Sequence, residues 1–136
     1  LRFVDEQIAL GATATYPALE LASKDPLVDT LFVLTDGPPT HGAITDIVAI
    51  LKRNATKDEI NAALKAAAEG EMDGILGFTT EPLVSTDILR DPRSGIVHGL
   101  STRVVNGNHA KVQVWYDNEH GYACRMLDAA VLMCGG

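Results

Sequence analysis

The residues best suited to chemistry are Asn118 and Tyr122, which lie where an apolar segment runs into a predicted helix start. Asn118 carries a primary amide that can donate and accept hydrogen bonds at the same time. Tyr122 follows four residues later, the spacing that places two side chains on one face of a helix. An amide beside an aromatic ring suits a flat ligand that carries an amide of its own. A helix cap followed by a core tyrosine explains the same residues, so their types alone leave both interpretations open.

Two predicted elements position this pair. Residues 111–116 alternate apolar and polar side chains, which is typical of a strand with one buried face. Asp117 and Asn118 then offer side-chain oxygens that can cap a helix, which we predict over residues 118–133. Five residues fall on one stripe of that helix: Tyr122, Met126, Ala129, Ala130 and Met133.

The sulfur and imidazole side chains do not follow a known metal-binding spacing. Cys124 and Cys134 are ten residues apart, which fits neither a zinc site nor a disulfide framework, and we expect both to be reduced. Cys124, near a helix start, is either a reactive thiol or a small packing residue. His120 is expected to be exposed in the first turn. The other histidines are scattered: His41, His98 and His109. No metal-ligand set is predicted from these residues.

Composition and charge exclude several classes of protein. The chain has 136 residues, which is enough for the hydrophobic core of one domain. Hydrophobic residues make up 46% of the sequence, as is ordinary for a globular protein. The formal net charge is -7 and the Lys and Arg residues are dispersed, so nucleic-acid binding is not expected. No apolar run approaches the roughly 20 residues that cross a bilayer. We therefore predict a cytoplasmic protein without a membrane partner.

The N-terminal third predicts a short helix-strand unit. Thr15 and Pro17 suit the start of a helix over residues 15–24. The nearly continuous apolar run 28–34 predicts a buried strand of a sheet that is covered on both faces. The Gly- and Pro-rich stretch 37–42 breaks both patterns and is the candidate boundary, which divides the chain into residues 1–41 and 42–136.

The remainder predicts an α+β fold with a mostly antiparallel sheet. Thr56 and Glu59 form a capping box that opens a helix over residues 57–69, and Gly70 follows its end. Asn106 and Gly107 are a strong two-residue hairpin signal. Extended segments are predicted at residues 44–51, 75–78, 94–105 and 110–116.

Four blocks with consistent order and spacing resemble a known enzyme family. They are residues 59–65, 74–85 and 91–108, followed by Trp115-Tyr116-Asp117-Asn118-Glu119-His120-Gly121-Tyr122. Together they are similar to the C-terminal part of the catalytic domain of phosphorylating glyceraldehyde-3-phosphate dehydrogenase. The resemblance covers residues 42–133.

That resemblance assigns a role to the pair of residues described first. In the family, the Asn of the signature binds the nicotinamide carboxamide and the Tyr packs near the nicotinamide ring, which implies NAD-binding roles for Asn118 and Tyr122. It also implies a phosphorylated aldehyde as substrate, a place in glycolysis and a possible homo-oligomer. The chain departs from the pattern at three positions near the signature: His120 replaces a large aromatic residue, and Ala123-Cys124 replaces Ser-Asn.

Other parts of the family's active site have no counterpart in this sequence. The S-C-T-T-N block with the thiol nucleophile does not occur, nor does the histidine base that follows it, and no G-x-G-x-x-G marks a dinucleotide-binding half. No catalytic residue can therefore be assigned. We predict a fragment of the NAD-dependent dehydrogenase that is inactive alone.

The first part of the chain resembles a different family. Residues 11–20, followed by Val28-Asp29-Thr30-Leu31-Phe32-Val33-Leu34-Thr35-Asp36-Gly37, are similar to the middle of a von Willebrand factor A-type domain. That resemblance implies parallel strands and would place Thr13 and Asp36 at two loops of a Mg²⁺ site. The D-x-S-x-S loop with the main ligands is absent. An incomplete piece of this kind can bury its apolar strand only against new neighbours, and we expect it to dock on the antiparallel sheet of the later part. The alternative functions are therefore a non-catalytic metal-dependent binding module and a degenerate scaffold.

Overall fold

A computed structural model describes residues 42–135 in full and the backbone of residues 28–35. Six strands and two α-helices occur in these residues, which confirms the predicted α+β class. The strands are β1 (Val28–Thr35), β2 (Ala43–Leu51), β3 (Leu76–Thr79), β4 (Gly95–His98), β5 (Arg103–Val105) and β6 (His109–Tyr116), and the helices are α1 (Lys57–Ala68) and α2 (His120–Met133). Short 3-10 turns lie at Ser85–Ile88 and Gly99–Ser101. The predicted helix at residues 15–24 lies outside the described residues.

The strands form one sheet in the order β1-β2-β6-β4-β3. All pairs are antiparallel except β3 with β4, which confirms the predicted mostly antiparallel sheet. β2 pairs with β6 from Ala43 opposite Tyr116 to Ile50 opposite His109. The other edge of β6 pairs with β4 near Trp115 and with β5 near His109. The strand that ends at the candidate site is thus hydrogen-bonded on both sides, which fixes its carboxyl end.

β1 is a strand, as predicted, and it joins the sheet of the later part. Its backbone pairs with β2 in an antiparallel register, with Val33 opposite Ile47, and it occupies one edge of the sheet. The expected docking of the N-terminal piece on this antiparallel sheet is therefore confirmed, whereas the parallel pairing implied by the von Willebrand factor resemblance is wrong. A short apolar run specifies extended backbone but not the direction or position of its neighbours.

Packing on the sheet places the core beside the end of β6. Trp115 pairs with Ile96 on the adjacent strand, and both contact Ile88 of a 3-10 turn; each of the three side chains is less than a tenth exposed. Ile44 and Leu83 pack around this cluster. Burying such side chains stabilises the fold by roughly 1.5–3 kcal/mol each. This cluster holds the last residues of β6 in place.

The capping box of α1 is formed as predicted. Glu59 N donates to Thr56 Oγ1 at 3.2 Å, and Thr56 N donates to Glu59 Oε2 at 2.7 Å. Asn61 then ties the helix to the sheet region, because its Nδ2 donates to the Gly99 carbonyl at 3.0 Å and its Oδ1 accepts from Thr102 Oγ1 at 2.7 Å. Thr102 is fully buried, and a buried hydroxyl without a hydrogen-bond partner would destabilise the fold. The bond to Asn61 removes this cost.

The predicted hairpin also forms, with one more residue in its loop. Val105 pairs with His109, so residues 106–108 make the connection. Asn106 and Gly107 have φ values of 53° and 79°, the left-handed region that an Asn-Gly pair tolerates best.

Candidate functional site

Asp117 organises the connection between β6 and α2. Its Oδ1 accepts hydrogen bonds from the backbone N–H groups of Glu119, at 2.9 Å, and His120, at 2.8 Å. Its Oδ2 accepts from the backbone N–H of Arg90 at 2.9 Å. The first two bonds satisfy donors at the start of the helix, and the third fastens a loop that is 27 residues away in sequence.

The electrostatics of Asp117 follow from these bonds. Burial raises the pKa of this carboxyl, but the backbone N–H groups of His120, Arg90 and Glu119 donate to its charged form and bring the pKa below the ordinary aspartate value. The side chain is only 9% exposed. The carboxylate is therefore charged at neutral pH and serves as a fixed anchor for the turn.

The loop that contacts Asp117 is itself held by an ion pair. Arg93 donates from Nε to Asp91 Oδ1 at 2.8 Å and from Nη2 to Asp91 Oδ2 at 2.6 Å. The side-chain hydrogen bonds from Arg93 lower the pKa of Asp91, and the same bonds raise the pKa of Arg93. A bidentate pair of this kind fixes orientation as well as distance. Residues 90–94 thus present a stiff surface to the first turn of α2.

Gly121 is where α2 meets that loop. A Cβ atom at this position would lie 2.6 Å from the carbonyl oxygen of Arg93, which is too close for any side chain. Glycine is therefore required by the approach of two backbones. The first turn of α2 is consequently held against residues 93 and 94.

Asn118 and Tyr122 flank this anchored turn. Asn118 is half-buried and lies between β6 and α2, and Tyr122 is 39% exposed in the first turn of α2. Asn118 directly follows the Asp117 anchor and Tyr122 lies five residues after it, and neither residue is buried in the core.

The predicted start of α2 needs correction. The helix begins at His120 rather than at residue 118. Of the two side chains predicted to offer capping oxygens, the carboxylate of Asp117 accepts from the first N–H groups, those of Glu119 and His120. A charged carboxylate accepts such bonds more strongly than an amide oxygen does.

The stripe of α2 that carries Tyr122 is exposed. Tyr122, Met126 and Met133 are 39%, 57% and 87% exposed, and the described neighbours do not cover Ala129 or Ala130. The physical reason is that α2 is anchored through its early residues: Gly121 against Arg93, and Arg125 Nη1, which donates to the Gly74 carbonyl at 3.4 Å. Beyond these contacts the helix extends away from the sheet. Amphipathicity predicts a face that can be buried but not the surface that buries it.

A concavity of about 520 Å³ opens beside the same loop but does not include Asn118 or Tyr122. Asp91 and Arg93 line one side and Gly77 and Phe78 the other, with Glu69 at its rim. Arg93 lies over Gly77, where a Cβ would be 2.5 Å from its Nη1. This concavity is therefore separate from the predicted site.

Sequence reasoning missed the residues that support the site. Asp91 was expected to be part of a solvated acidic loop, and its ion pair with Arg93 was not predicted, although an acidic and a basic residue on either side of a proline could have suggested it. The contact from Asp117 to Arg90 has no local signal, because the two residues are far apart in sequence. Thr13 and Asp36, named for a metal site, lie outside the described residues.

Within the described part of the chain, no helix is long and apolar enough to cross a bilayer. Between residues 42 and 135, no group of three or more His, Cys, Asp or Glu side chains is placed to hold a metal ion.

Comparison with known proteins identifies relatives of this segment. Residues 35–118 match the family model described as glyceraldehyde 3-phosphate dehydrogenase, C-terminal domain. The chain is 46% identical over 96 residues to glyceraldehyde-3-phosphate dehydrogenase 2 of Streptomyces avermitilis, covering 71% of this chain and 29% of that protein. It is 48% identical over 93 residues to the glyceraldehyde-3-phosphate dehydrogenase of Geobacillus stearothermophilus, covering 68% of this chain and 28% of that protein. The chain thus spans less than a third of the length of these relatives.

Proposed function

Because this chain belongs to the glyceraldehyde-3-phosphate dehydrogenase family, we propose that it is a fragment of an NAD-dependent phosphorylating dehydrogenase that supplies the nicotinamide-binding side chains. In the proposed parent reaction a phosphorylated aldehyde is oxidised to an acyl phosphate, as part of glycolysis. The chain by itself does not turn over. We further propose a cytoplasmic location and assembly into a homo-oligomer, as the family resemblance implies.

The observation that carries this proposal is the placement of Asn118. It directly follows Asp117, whose carboxylate takes three backbone N–H bonds and so limits how far the turn can move. Asn118, beside this anchor, is half-buried. A primary amide can pair with a carboxamide in two directions, donating one hydrogen bond and accepting another. These properties fit the carboxamide of a nicotinamide.

Tyr122 supplies the second contact in the proposal. Its ring is 39% exposed on the first turn of α2, which Gly121 holds against the loop at Arg93. An aromatic ring of fixed position restricts the rotation of a flat ligand and favours one orientation. NAD, when bound, supplies the hydride acceptor; this chain contributes binding and orientation.

The proposed inactivity of the isolated chain follows from its sequence. The family's S-C-T-T-N block is absent, and the two cysteines present are Cys124 and Cys134, both in the region of α2. Without the family's thiol nucleophile the aldehyde has no covalent partner through which to pass a hydride to NAD.

Two measurements test this function. An assay of NAD reduction with glyceraldehyde 3-phosphate and phosphate is expected to give no turnover above a no-protein blank, and sustained turnover would contradict the assignment. Titration calorimetry with NAD is expected to give weak binding, with a Kd on the order of 1 mM or above. Tight, micromolar binding would contradict a site that consists of the nicotinamide contacts alone.

A further inference from the structure

His120 and Cys124 form a pair on α2 that the proposed NAD site does not use. They are four residues apart in the first turns of the helix, so their side chains share one face. The Cys124 Sγ and His120 Nε2 atoms are 3.8 Å apart. His120 is exposed and Cys124 is half-buried, so solvent reaches the pair.

The distance between these two atoms suits a shared metal ion. Zinc binds thiolate sulfur at about 2.3 Å and imidazole nitrogen at about 2.0–2.1 Å in tetrahedral geometry, which places the two ligand atoms roughly 3.6 Å apart. The observed separation of 3.8 Å, a hydrogen-bonding distance for sulfur, is close to this value. One sulfur and one imidazole nitrogen are also the ligand types that zinc and cobalt prefer over the hard alkaline-earth cations.

The surroundings favour a cation. The Asp91 and Asp117 carboxylates both interact electrostatically with His120. Neither is available as a ligand, because Asp91 binds Arg93 and Asp117 accepts three backbone N–H groups. No third His, Cys, Asp or Glu completes a metal-binding group among residues 42–135, so water would fill the remaining coordination positions.

We propose that His120 and Cys124 form a two-ligand chelate for a divalent transition-metal cation such as Zn²⁺. When the sulfur–metal bond forms, the thiol releases its proton to solvent and the imidazole binds through the neutral Nε2, so no oxidant or reductant is needed. The metal would link two successive turns of α2 near its anchored end. This inference is independent of the proposed NAD site.

Cys134 provides a matched control within the same chain. It lies just after α2 and is exposed, but the residue four positions before it is Ala130, so it lacks an imidazole at chelating spacing. If a thiol alone were sufficient to bind the metal, Cys124 and Cys134 would bind it equally well.

The experiment titrates the chain with Co²⁺, a spectroscopic substitute for Zn²⁺, in the presence of a phosphine reductant. We expect one equivalent to bind, with a thiolate-to-cobalt charge-transfer absorption that Zn²⁺ abolishes by displacement. Cys134→Ser should retain this absorption and Cys124→Ser should lose it. His120→Gln should weaken Co²⁺ binding roughly tenfold or more, because one of two protein ligands is gone.

Several results would overturn the proposal. They are the absence of the charge-transfer absorption in the unaltered chain, its persistence in Cys124→Ser, its loss in Cys134→Ser, or unchanged affinity in His120→Gln. Far-ultraviolet circular dichroism of each variant shows whether it has folded. Because a bound metal stabilises the native state, a second readout is the thermal midpoint, which Zn²⁺ should raise in Cys134→Ser but not in Cys124→Ser.

Discussion

The two helices of this chain differ in how they are attached. α1 is capped by its own neighbours, Thr56 and Glu59, and is tied to the sheet region through Asn61. α2 is capped locally by Asp117, but the same carboxylate and Gly121 also fasten it to a loop distant in sequence, and its later apolar side chains are exposed. The difference shows that one capping residue can serve its own helix alone or can also anchor that helix to a distant segment. The candidate site lies on the helix with the long-range anchor.

The largest effect is expected where α2 touches the loop at Arg93. Gly121→Ala would place a Cβ 2.6 Å from a backbone oxygen that cannot move aside easily. We expect a loss of about 2 kcal/mol in the free energy of unfolding from this overpacking, even though alanine favours helices by about 1 kcal/mol over glycine. Chemical denaturation measures it, with the exposed Ala123→Ser as control. A stabilised Gly121→Ala variant would show that the first turn of α2 is not anchored there.

Removal of the Asp117 carboxylate should lower the free energy of unfolding almost as much as Gly121→Ala. Asp117→Ala leaves the N–H groups of Arg90, Glu119 and His120 without their acceptor, and we expect a loss of about 1–3 kcal/mol. The matched control is Asp128→Ala, because that carboxylate is exposed and makes only an ion pair with Arg125.

The same anchor has a predictable pH dependence. The pKa of Asp117 is lower in the folded than in the unfolded chain, so its stabilisation is fully present above the ordinary aspartate value of about 3.9 and is lost as pH falls through the folded pKa. The thermal midpoint of the unaltered chain should therefore exceed that of Asp117→Asn at neutral pH, and the two midpoints should converge as the pH is lowered. A constant difference down to the lowest pH would contradict the assigned cause.

The local cap of α1 should contribute less than the anchor of α2. Thr56→Ala removes the oxygen that accepts from Glu59 N, and we expect a loss of about 1 kcal/mol. Chemical denaturation compares it with Thr80→Ala, an exposed threonine outside any helix. A cost above that of Asp117→Ala would reverse the proposed order of the two attachments.

The smallest effect is expected on the exposed side of α2. Leu132 is 78% exposed, so Leu132→Gln should change the free energy of unfolding by less than about 0.5 kcal/mol. A loss of roughly 2–5 kcal/mol in the free energy of unfolding is typical when a buried leucine is replaced. A loss of that size would show that Leu132 is covered in solution and would contradict the contrast between the two helices.

Sequence patterns predicted those elements whose causes are local. The capping box at Thr56, the turn at Asn106 and Gly107 and the strand before Tyr116 each depend on a few neighbouring residues, and all three form. The alternation within that strand is only partly as expected, because Trp115, in the row opposite Val112, is buried as well. The family blocks likewise indicated the segment that the comparisons match. These features need no knowledge of the tertiary fold.

Features set by distant residues could not be predicted in this way. The acceptor role of Asp117 toward Arg90, the position of β1 at a sheet edge and the exposure of α2 all depend on which segments meet in space. Periodicity placed Met126 and Met133 on one face of α2. It could not show that no described residue packs over this face. The roles of Asn118 and Tyr122 remain predictions that only ligand binding can decide.

The most direct test of the account observes the Asn118 side chain during a titration with nicotinamide mononucleotide. Nuclear magnetic resonance resolves its side-chain NH₂ signals, and we expect them to shift progressively, with intermolecular contacts to the ligand's carboxamide protons. The side-chain amide of Asn108, which donates to the Leu51 carbonyl at the hairpin, should remain unmoved. If Asn118 stays unchanged while the ligand shifts signals elsewhere, or if Asn118→Ala binds the ligand equally well, the nicotinamide assignment is contradicted.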